Sequence, residues 1–515
     1  MKARGTVALG TGRVLSAAAG NIFDSQALTG PTEAVGGPEP RLPHRGPELK
    51  FRNRERELEE VISALDNDDA SHFWLFVAPP QLGKTWFLRE TGAGLRKRRS
   101  RCLVHEVDVR DLTEAADDPL ALLARMYRVS VPNPDTYKIA VAISATRQYN
   151  LCLLDSAELL SEDTIRGMRE GLEDIDRYVR TGKSRGARLA LVAASRQDDA
   201  WRGVAPLRLS IRRLTEFNED VLLEALSDLA EEMDRDSSRS ELRPLARQVH
   251  QLSEGLPALL AGYLEWIRRA EWVDLDRLAE RDCFEEIAGP YIERGLLSPG
   301  SLCGRRADPP AGLRPAMVEA LRALATYRYF TGSHLSHHAS GGALRDSMDA
   351  LGWNEEELRA AVSRTDVLLL PQDELWDAIS PPIRRLLFRH WHGPAGSRAQ
   401  QHQAARAFLE SYAQDLVGRE RAEAVIECLW HEAEALSLSA DPRKGDLLTT
   451  LAVKLSPGLA GPAGAIVPGF RDREVRKFVG RRMRDDGELM RAVGDRGLFE
   501  SITAIMTQPE GGGMP

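Results

Sequence analysis

Cysteine is scarce in this chain. Five occur in 515 residues (Cys102, Cys152, Cys283, Cys303, Cys428), an odd number, widely scattered and never in a C-x-x-C pair. That excludes a disulfide framework and a zinc ribbon, and it fits a reducing compartment. Long apolar runs are also missing. No stretch of ~18 or more apolar residues exists, so no transmembrane helix is expected. The first twenty residues carry Lys2 and Arg4, but glycines and Arg13 break their apolar part. They read as neither a signal peptide nor an anchor, which makes the cytoplasm the expected location and a membrane partner unexpected. An excess of positive charge is lacking too: 69 Lys+Arg stand against 77 Asp+Glu, a net −8. Bulk coating of nucleic acid is thereby excluded, although local basic patches are not. What is present is ordinary globular material, 43% hydrophobic and 28% charged. At ~100–200 residues per domain, the length predicts roughly three or four folding units.

Residues 1–47 are rich in Gly, Ala, Thr, Ser and Pro and have no periodic apolar pattern, which predicts a disordered leader. From Arg54 to Leu65 an amphipathic helix is expected, with Leu58, Val61, Ile62 and Leu65 at helical spacing. Strands are expected at 72–77, 102–109, 151–154, 188–194 and 207–211, most of them separated by helical segments. Alternation of this kind implies crossover connections and a parallel sheet covered on both faces. After Leu214 the strand pattern nearly vanishes. Helices are expected at 219–230, 242–253 and 258–269, then a seam at Asp308-Pro309-Pro310. A mixed segment over 313–392 follows, and helices again from Ala399. No convincing internal repeat is found; Gln401–Leu416 and Arg421–Leu436 could make one helix-turn-helix unit.

The most informative segment is Val77-Ala78-Pro79-Pro80-Gln81-Leu82-Gly83-Lys84-Thr85-Trp86. An apolar strand precedes it and a helix follows, the context a phosphate-binding loop requires. Backbone amides of the loop and of the helix N-terminus would point at a polyphosphate. Lys84 would reach the β/γ-phosphates, and the Thr85 hydroxyl would ligate Mg²⁺. Gly83 lets the backbone pass close to the phosphates. Ala78 stands where the motif's first glycine would be, and a slightly more strained loop is expected there. A second element supports the site: Leu151-Cys152-Leu153-Leu154-Asp155 is a buried strand ending in a carboxylate, the expected second Mg²⁺-coordinating group. Ser156 cannot polarise water. Glu158 is the best remaining base, or else an ordinary acid at a helix N-terminus. Arg196, after Ser195 at the end of the fourth strand, is either a γ-phosphate sensor or a surface arginine.

With these elements in place, the chain resembles the STAND class of P-loop NTPases, relatives of the NB-ARC, NACHT and AAA+ modules. The resemblance covers about residues 50–395. Phe51 to Leu58 (FRNREREL) looks like the family's F-x-G-R-E-x-E-L opening segment, and it implies that Arg54 lies near the adenine; Asn53 replaces the usual glycine. Residues 78–85 match the Walker A loop, and 151–158 (LCLLDSAE) the hhhhD-x-x-E Walker B form. Ser195-Arg196 is similar to the sensor-1 element. Gly255-Leu256-Pro257 resembles the G-x-P motif of a helical lid, which implies that Pro257 packs against the adenine. The fold implied is an α/β P-loop NTPase (a doubly wound parallel sheet) over 48–215. A helical lid (216–300), a winged-helix-like domain (305–395) and an α-helical C-terminal region (396–515) would follow. Trp376, in Leu375-Trp376-Asp377, stands where the family places a nucleotide-sensing histidine.

The function implied is an ATP/ADP switch with Mg²⁺, hydrolysing slowly because Ser156 is not an acid. Its output would be a conformational change or nucleotide-dependent homo-oligomerisation that acts in signalling or defence through a protein partner or effector. A second reading, less favoured, is a DNA-binding ATPase or transcriptional regulator. It would use the basic helix after Pro381-Pro382-Ile383-Arg384-Arg385, or the seven basic residues between Arg471 and Arg484, where a solvated helix face is the simpler expectation. His334, His337 and His338 lack a recognised metal-ligand spacing and read as loop or surface residues.

Overall fold

The computed structural model describes residues 54–508 except 68–71, 80–81, 100, 113–117, 147, 182–186, 197–200, 202–208, 273–276, 279, 299–301, 303–311, 363–364, 366, 370–375, 458 and 460–471. The leader, residues 51–53, Pro80, Gln81, Cys303, the seam at 308–310, Leu375 and Arg471 lie outside the described residues.

A five-stranded parallel sheet organises the first part of the chain. Its strands are β1 (His72–Val77), β2 (Cys102–Asp108), β3 (Tyr149–Asp155), β4 (Arg188–Ser195) and β5 (Leu209–Arg213), in the spatial order β2-β3-β4-β1-β5. Around it lie α1 (Glu55–Asn67), α2 (Lys84–Arg98), α3 (Pro119–Met126), α4 (Thr136–Thr146) and α5 (Glu162–Thr181). Side chains alternate across the sheet. Trp74 and Phe76 join the core under α1 and α2, whereas Phe73, Leu75 and Val77 pack beneath α3, α4 and α5. Leu151/Leu153 against Cys152/Leu154, and Ala190/Val192 against Leu189/Leu191, repeat the division. Two buried faces explain why these strands read as continuous apolar runs.

A helical region follows. Helix α6 (Glu219–Glu232) starts at Asn218, whose side chain accepts from the Val221 amide. Helix α7 (Arg239–Ser253) opens with a Ser238–Glu241 capping box, and α8 (Pro257–Arg269) carries its proline at the first turn, where no amide partner is lost. Next come α9 (Arg281–Pro290), α10 (Leu313–Leu324), α11 (Gly332–Ala339), α12 (Gly342–Leu351) and α13 (Glu355–Val362). A short antiparallel pair, β6 (Leu368–Leu369) with β7 (Ala378–Ile379), is extended by a bridge between Phe330 and Asp377. Helix α14 (Pro381–His392) leads to the last six: α15 (Ala395–Asp415), α16 (Gly418–Leu438), α17 (Lys444–Leu455), α18 (Asp472–Arg484), α19 (Gly487–Val493) and α20 (Arg496–Thr507). Helix α16 is buried on most of its circumference, from Ala422 to Leu436, and is the axis on which its neighbours pack.

The histidines correct the sequence expectation. His334 is not a loop or surface residue: it lies on α11, fully buried, with Tyr327, Trp376, Phe408 and Tyr412 around its ring. The sequence Gly-Ser-His-Leu-Ser-His-His-Ala has too few apolar residues to announce a buried helix. His402 and His431 are buried too, their Nδ1 atoms 2.9 Å apart, and the Nε2 atoms of His334 and His431 have no hydrogen-bond partner among the described residues. Burial, followed by the neighbouring His338 and His337, lowers His334 to about 3. Burial, then Arg384, Arg398 and His392, lowers His402 to about 3, and burial also depresses His431. No group of three or more metal-binding side chains occurs among the described residues.

A depressed folded-state value means the unfolded chain binds more protons below its own value of ~6.5, so this stability is complete above that pH and is lost as pH falls through it. Three such imidazoles should together lose on the order of 4 kcal/mol per pH unit below ~6.5. Thermal denaturation at pH 7.5, 6 and 5 should show a steep fall in Tm across the last interval.

Candidate nucleotide site

At the end of β1 the chain is held on both sides. The Ala78 amide donates to the Ser195 carbonyl (3.1 Å), and the Leu214 amide donates to the Val77 carbonyl (3.0 Å). The loop that follows rises from the carboxyl edge of the parallel sheet, where open α/β sheets place ligands. Gly83 ends the loop in the left-handed region (φ 80°), as only glycine does cheaply, and α2 begins at Lys84. Ala78 is buried and is not among the positive-φ residues, so it carries no left-handed backbone strain of its own. A methyl group fits because this position keeps an ordinary negative φ. Lys84 Nζ donates to the carbonyls of Ala78 (2.6 Å) and Pro79 (3.0 Å), folding its ammonium back over the loop. Leu82 is buried, and Trp86 packs partly against the core.

Thr85 Oγ1 donates to Asp155 Oδ2 at 2.5 Å, so the loop and the end of β3 meet directly. A hydroxyl and a carboxylate oxygen side by side form a hard-oxygen pair of the kind that suits Mg²⁺. Ser156 then adopts φ 60°, and its amide donates to Asp155 Oδ1 (2.8 Å). That left-handed residue turns the chain into a 3₁₀ turn, Ala157–Leu159, which carries Glu158. The turn brings Glu158 and Arg196 together: Arg196 Nε lies 2.8 Å from Glu158 Oε1. Glu158 is 9% exposed, and its other carboxylate oxygen is buried without a hydrogen-bond partner among the described residues.

Two residues here were missed in the sequence. Asp108 closes β2 in direct register with Asp155, and Arg110 grips it, with Nε at 2.8 and 2.9 Å and Nη2 at 2.5 Å. Burial alone would raise the Asp108 carboxyl, but the Arg110 hydrogen bonds outweigh it and hold the group below the usual carboxylate range. The only trace in the sequence is an acid ending the strand beside β3, and it takes on meaning once the register is known.

The other residues tied to a nucleotide by resemblance converge beside the same strand end. Arg54 is buried; it donates through Nη2 to the Thr215 carbonyl, and its Cζ lies 5.6 Å from the Phe217 ring centre. The Phe217 amide donates to the Gly255 carbonyl (3.0 Å), and the Phe217 carbonyl faces His250 Nε2 (3.0 Å). Residues 214–217 thus join β1, Arg54 and the Gly255-Leu256-Pro257 turn. Trp376 does not come here: it is buried against His334 and Tyr412. Nor does α14 offer a basic face to a polyanion. Arg384 is buried against Glu488, and Arg385 lies between Glu254 and Glu488. On α18, Arg476 and Arg482 turn inward to Ser456 and Glu423, leaving Arg473, Lys477, Arg481 and Arg484 exposed.

Strand order, loop and helical continuation define an α/β P-loop NTPase fold followed by a helical region. No protein-family model matches the chain, and no curated protein does. Among solved structures, the chain is similar to the Walker-type ATPase PABY2304 of Pyrococcus abyssi, at 16% identity over 65% of this chain and 95% of that one (TM-score 0.39). It is also similar to the Aeropyrum pernix Orc1 protein, solved in complex with DNA, at 14% identity over 66% and 92% (TM-score 0.38). For Cdc6p of Pyrobaculum aerophilum the values are 13%, 68%, 97% and 0.33. No helix among the described residues is long and apolar enough to cross a membrane.

Gly255 has φ 68°, and a Cβ added there would lie 2.4 Å from the Phe217 carbonyl oxygen. Gly255→Ala should therefore destabilise the protein by about 2 kcal/mol or more, from backbone strain and the clash combined, read as a lowered denaturant midpoint at unchanged slope.

Proposed function

We propose that this chain is an ATP/ADP-binding switch of the STAND type, in which slow hydrolysis is coupled to a conformational change or to assembly, acting on a protein partner. The observation that carries the reading is the 2.5 Å contact of Thr85 with Asp155, which joins the phosphate-type loop to an acidic strand end. The division that suits it is an NTPase domain over 48–215, a lid over 216–300, a winged-helix-like unit over 305–395 and a helical unit from 396. The Phe330/β6/β7 strand set among α10–α13 is what supports a winged-helix-like unit.

Magnesium-bound ATP would supply the phosphoanhydride to be cleaved and neutralise part of its charge. Thr85 and Asp155 would hold the metal. Lys84 would exchange the loop carbonyls for the β/γ-phosphates, and the amides of Gly83–Trp86 at the start of α2 would cradle them. Arg54 and Pro257 would border the base. Glu158 Oε2, buried with no hydrogen-bond partner among the described residues, would accept the proton of an attacking water, while Arg196, paired with the other oxygen, would exchange that contact for a γ-phosphate. With only one available carboxylate oxygen and serine at 156, turnover would be slow. Such a rate suits a timer, whose two nucleotide states must bind the lid differently.

Lys84→Ala should weaken binding of a fluorescent ATP analogue at least about tenfold, and binding equal to wild type would overturn the reading. Glu158→Gln should keep ATP affinity while phosphate release falls on the order of 10²-fold or more.

A further inference from the structure

The turn preceding Pro257 is tied by charge to the far end of the chain. Glu254, in the left-handed conformation that ends α7, is 10% exposed. Arg385 Nε reaches it at 2.6 Å, and Arg389 Nη2 at 3.5 Å. Arg389 Nη1 also donates to the Gln251 carbonyl (2.6 Å), fixing the last turn of α7. The second arm of Arg385 binds Glu488 on α19 at 2.5 Å, and Arg384 binds the same carboxylate at 3.0 and 3.3 Å. Beyond it the charges continue. The Trp430 ring on α16 has the guanidiniums of Arg384 (4.9 Å) and Arg328 (4.8 Å) against it. Arg328 is held by the buried carboxylates of Glu427 and Asp486.

Three features set this apart from an ordinary surface pair. The groups are mostly buried, and a buried pair that loses one partner leaves an uncompensated charge. Arg385 is shared, so Glu254 and Glu488 cannot both keep it if α7 and α19 move apart. Finally, Glu254 is covalently next to Gly255, whose carbonyl accepts from the Phe217 amide beside the β1 end.

We infer that Glu254, Arg385 and Glu488 form a positioning relay through which the C-terminal helices α15–α20 set the geometry of the Gly255-Leu256-Pro257 turn, and with it the rate at which nucleotide leaves. The inference rests on the nucleotide-switch reading above and adds its regulation. A partner that pulls on α18 or α19 would break the Arg385–Glu488 contact, free α7 and loosen the lid. By reciprocity, nucleotide binding at the loop tightens α19.

The test uses the full chain loaded with a fluorescent ADP. Glu488→Gln and Glu254→Gln, with circular dichroism spectra unchanged, should each release it at least about tenfold faster. The double variant should be no more than about twofold faster than either, because both cuts fall in one relay. In wild type, ADP should slow amide hydrogen exchange across 487–493, and Glu254→Gln should abolish that response with ADP still bound. A purely structural role would not produce this response. If Glu254→Gln does not fold, Arg385→Gln, which removes the guanidinium shared by the two carboxylates, takes its place with the same expectations. Release within twofold of wild type in a folded variant, or no ADP effect on 487–493 in wild type, overturns the relay alone. Wild-type protein that binds no ADP overturns the switch reading together with it.

Discussion

At the end of β1, the Val77 carbonyl and the Ala78 amide are both taken by neighbouring chain, from Leu214 and Ser195 respectively. These two backbone bonds form one constraint with several dependants. They aim the loop upward from the sheet, so that Lys84 and Thr85 start a helix whose amides face the carboxyl edge. They bring the end of β4 beside the loop, which is why Arg196 is within reach of Glu158. They also start the 214–217 passage that holds Arg54 and the Gly255 turn.

Much of this was legible in the sequence because it is local. An apolar strand, a glycine, Lys-Thr and a helix lie within about fifteen residues, and an acid closing a buried strand is as easy to read. The five strands are all present, within two or three residues of their expected bounds where described. What was illegible depends on tertiary register or on which way a charge faces. Asp108 gains its meaning from the register of β2, which sets it opposite Asp155. Arg384-Arg385 has the same spelling whether the helix faces a polyanion or a pair of glutamates. His334 sits in a segment whose small and polar residues hide a buried helix. In each case the partner lies far away in sequence, and local pattern does not carry that information.

The C-terminal half combines buried imidazoles with buried ion pairs, and both are costly ways to build a core. Hydrophobic residues of the same volume would pack as stably or better, whereas removing one member of a buried pair costs about 3–5 kcal/mol. Such a core holds one arrangement tightly and tolerates intermediate ones poorly. The switch proposed above would need such a core, in contrast to a surface that flexes continuously.

The sheet order also bears on how the protein is made. Strand β1 leaves the ribosome early, yet its two neighbours, β4 and β5, follow more than a hundred residues later. Until residues 188–195 have emerged, the apolar run from Phe73 to Val77 lacks its parallel partners, and until Leu214 follows the loop lacks its second backbone anchor. Long-range parallel pairing is slow to form and leaves strand edges open meanwhile. During synthesis, then, β1 is a stretch that chaperones would be expected to shield, and the candidate site is completed only when the whole sheet closes around it.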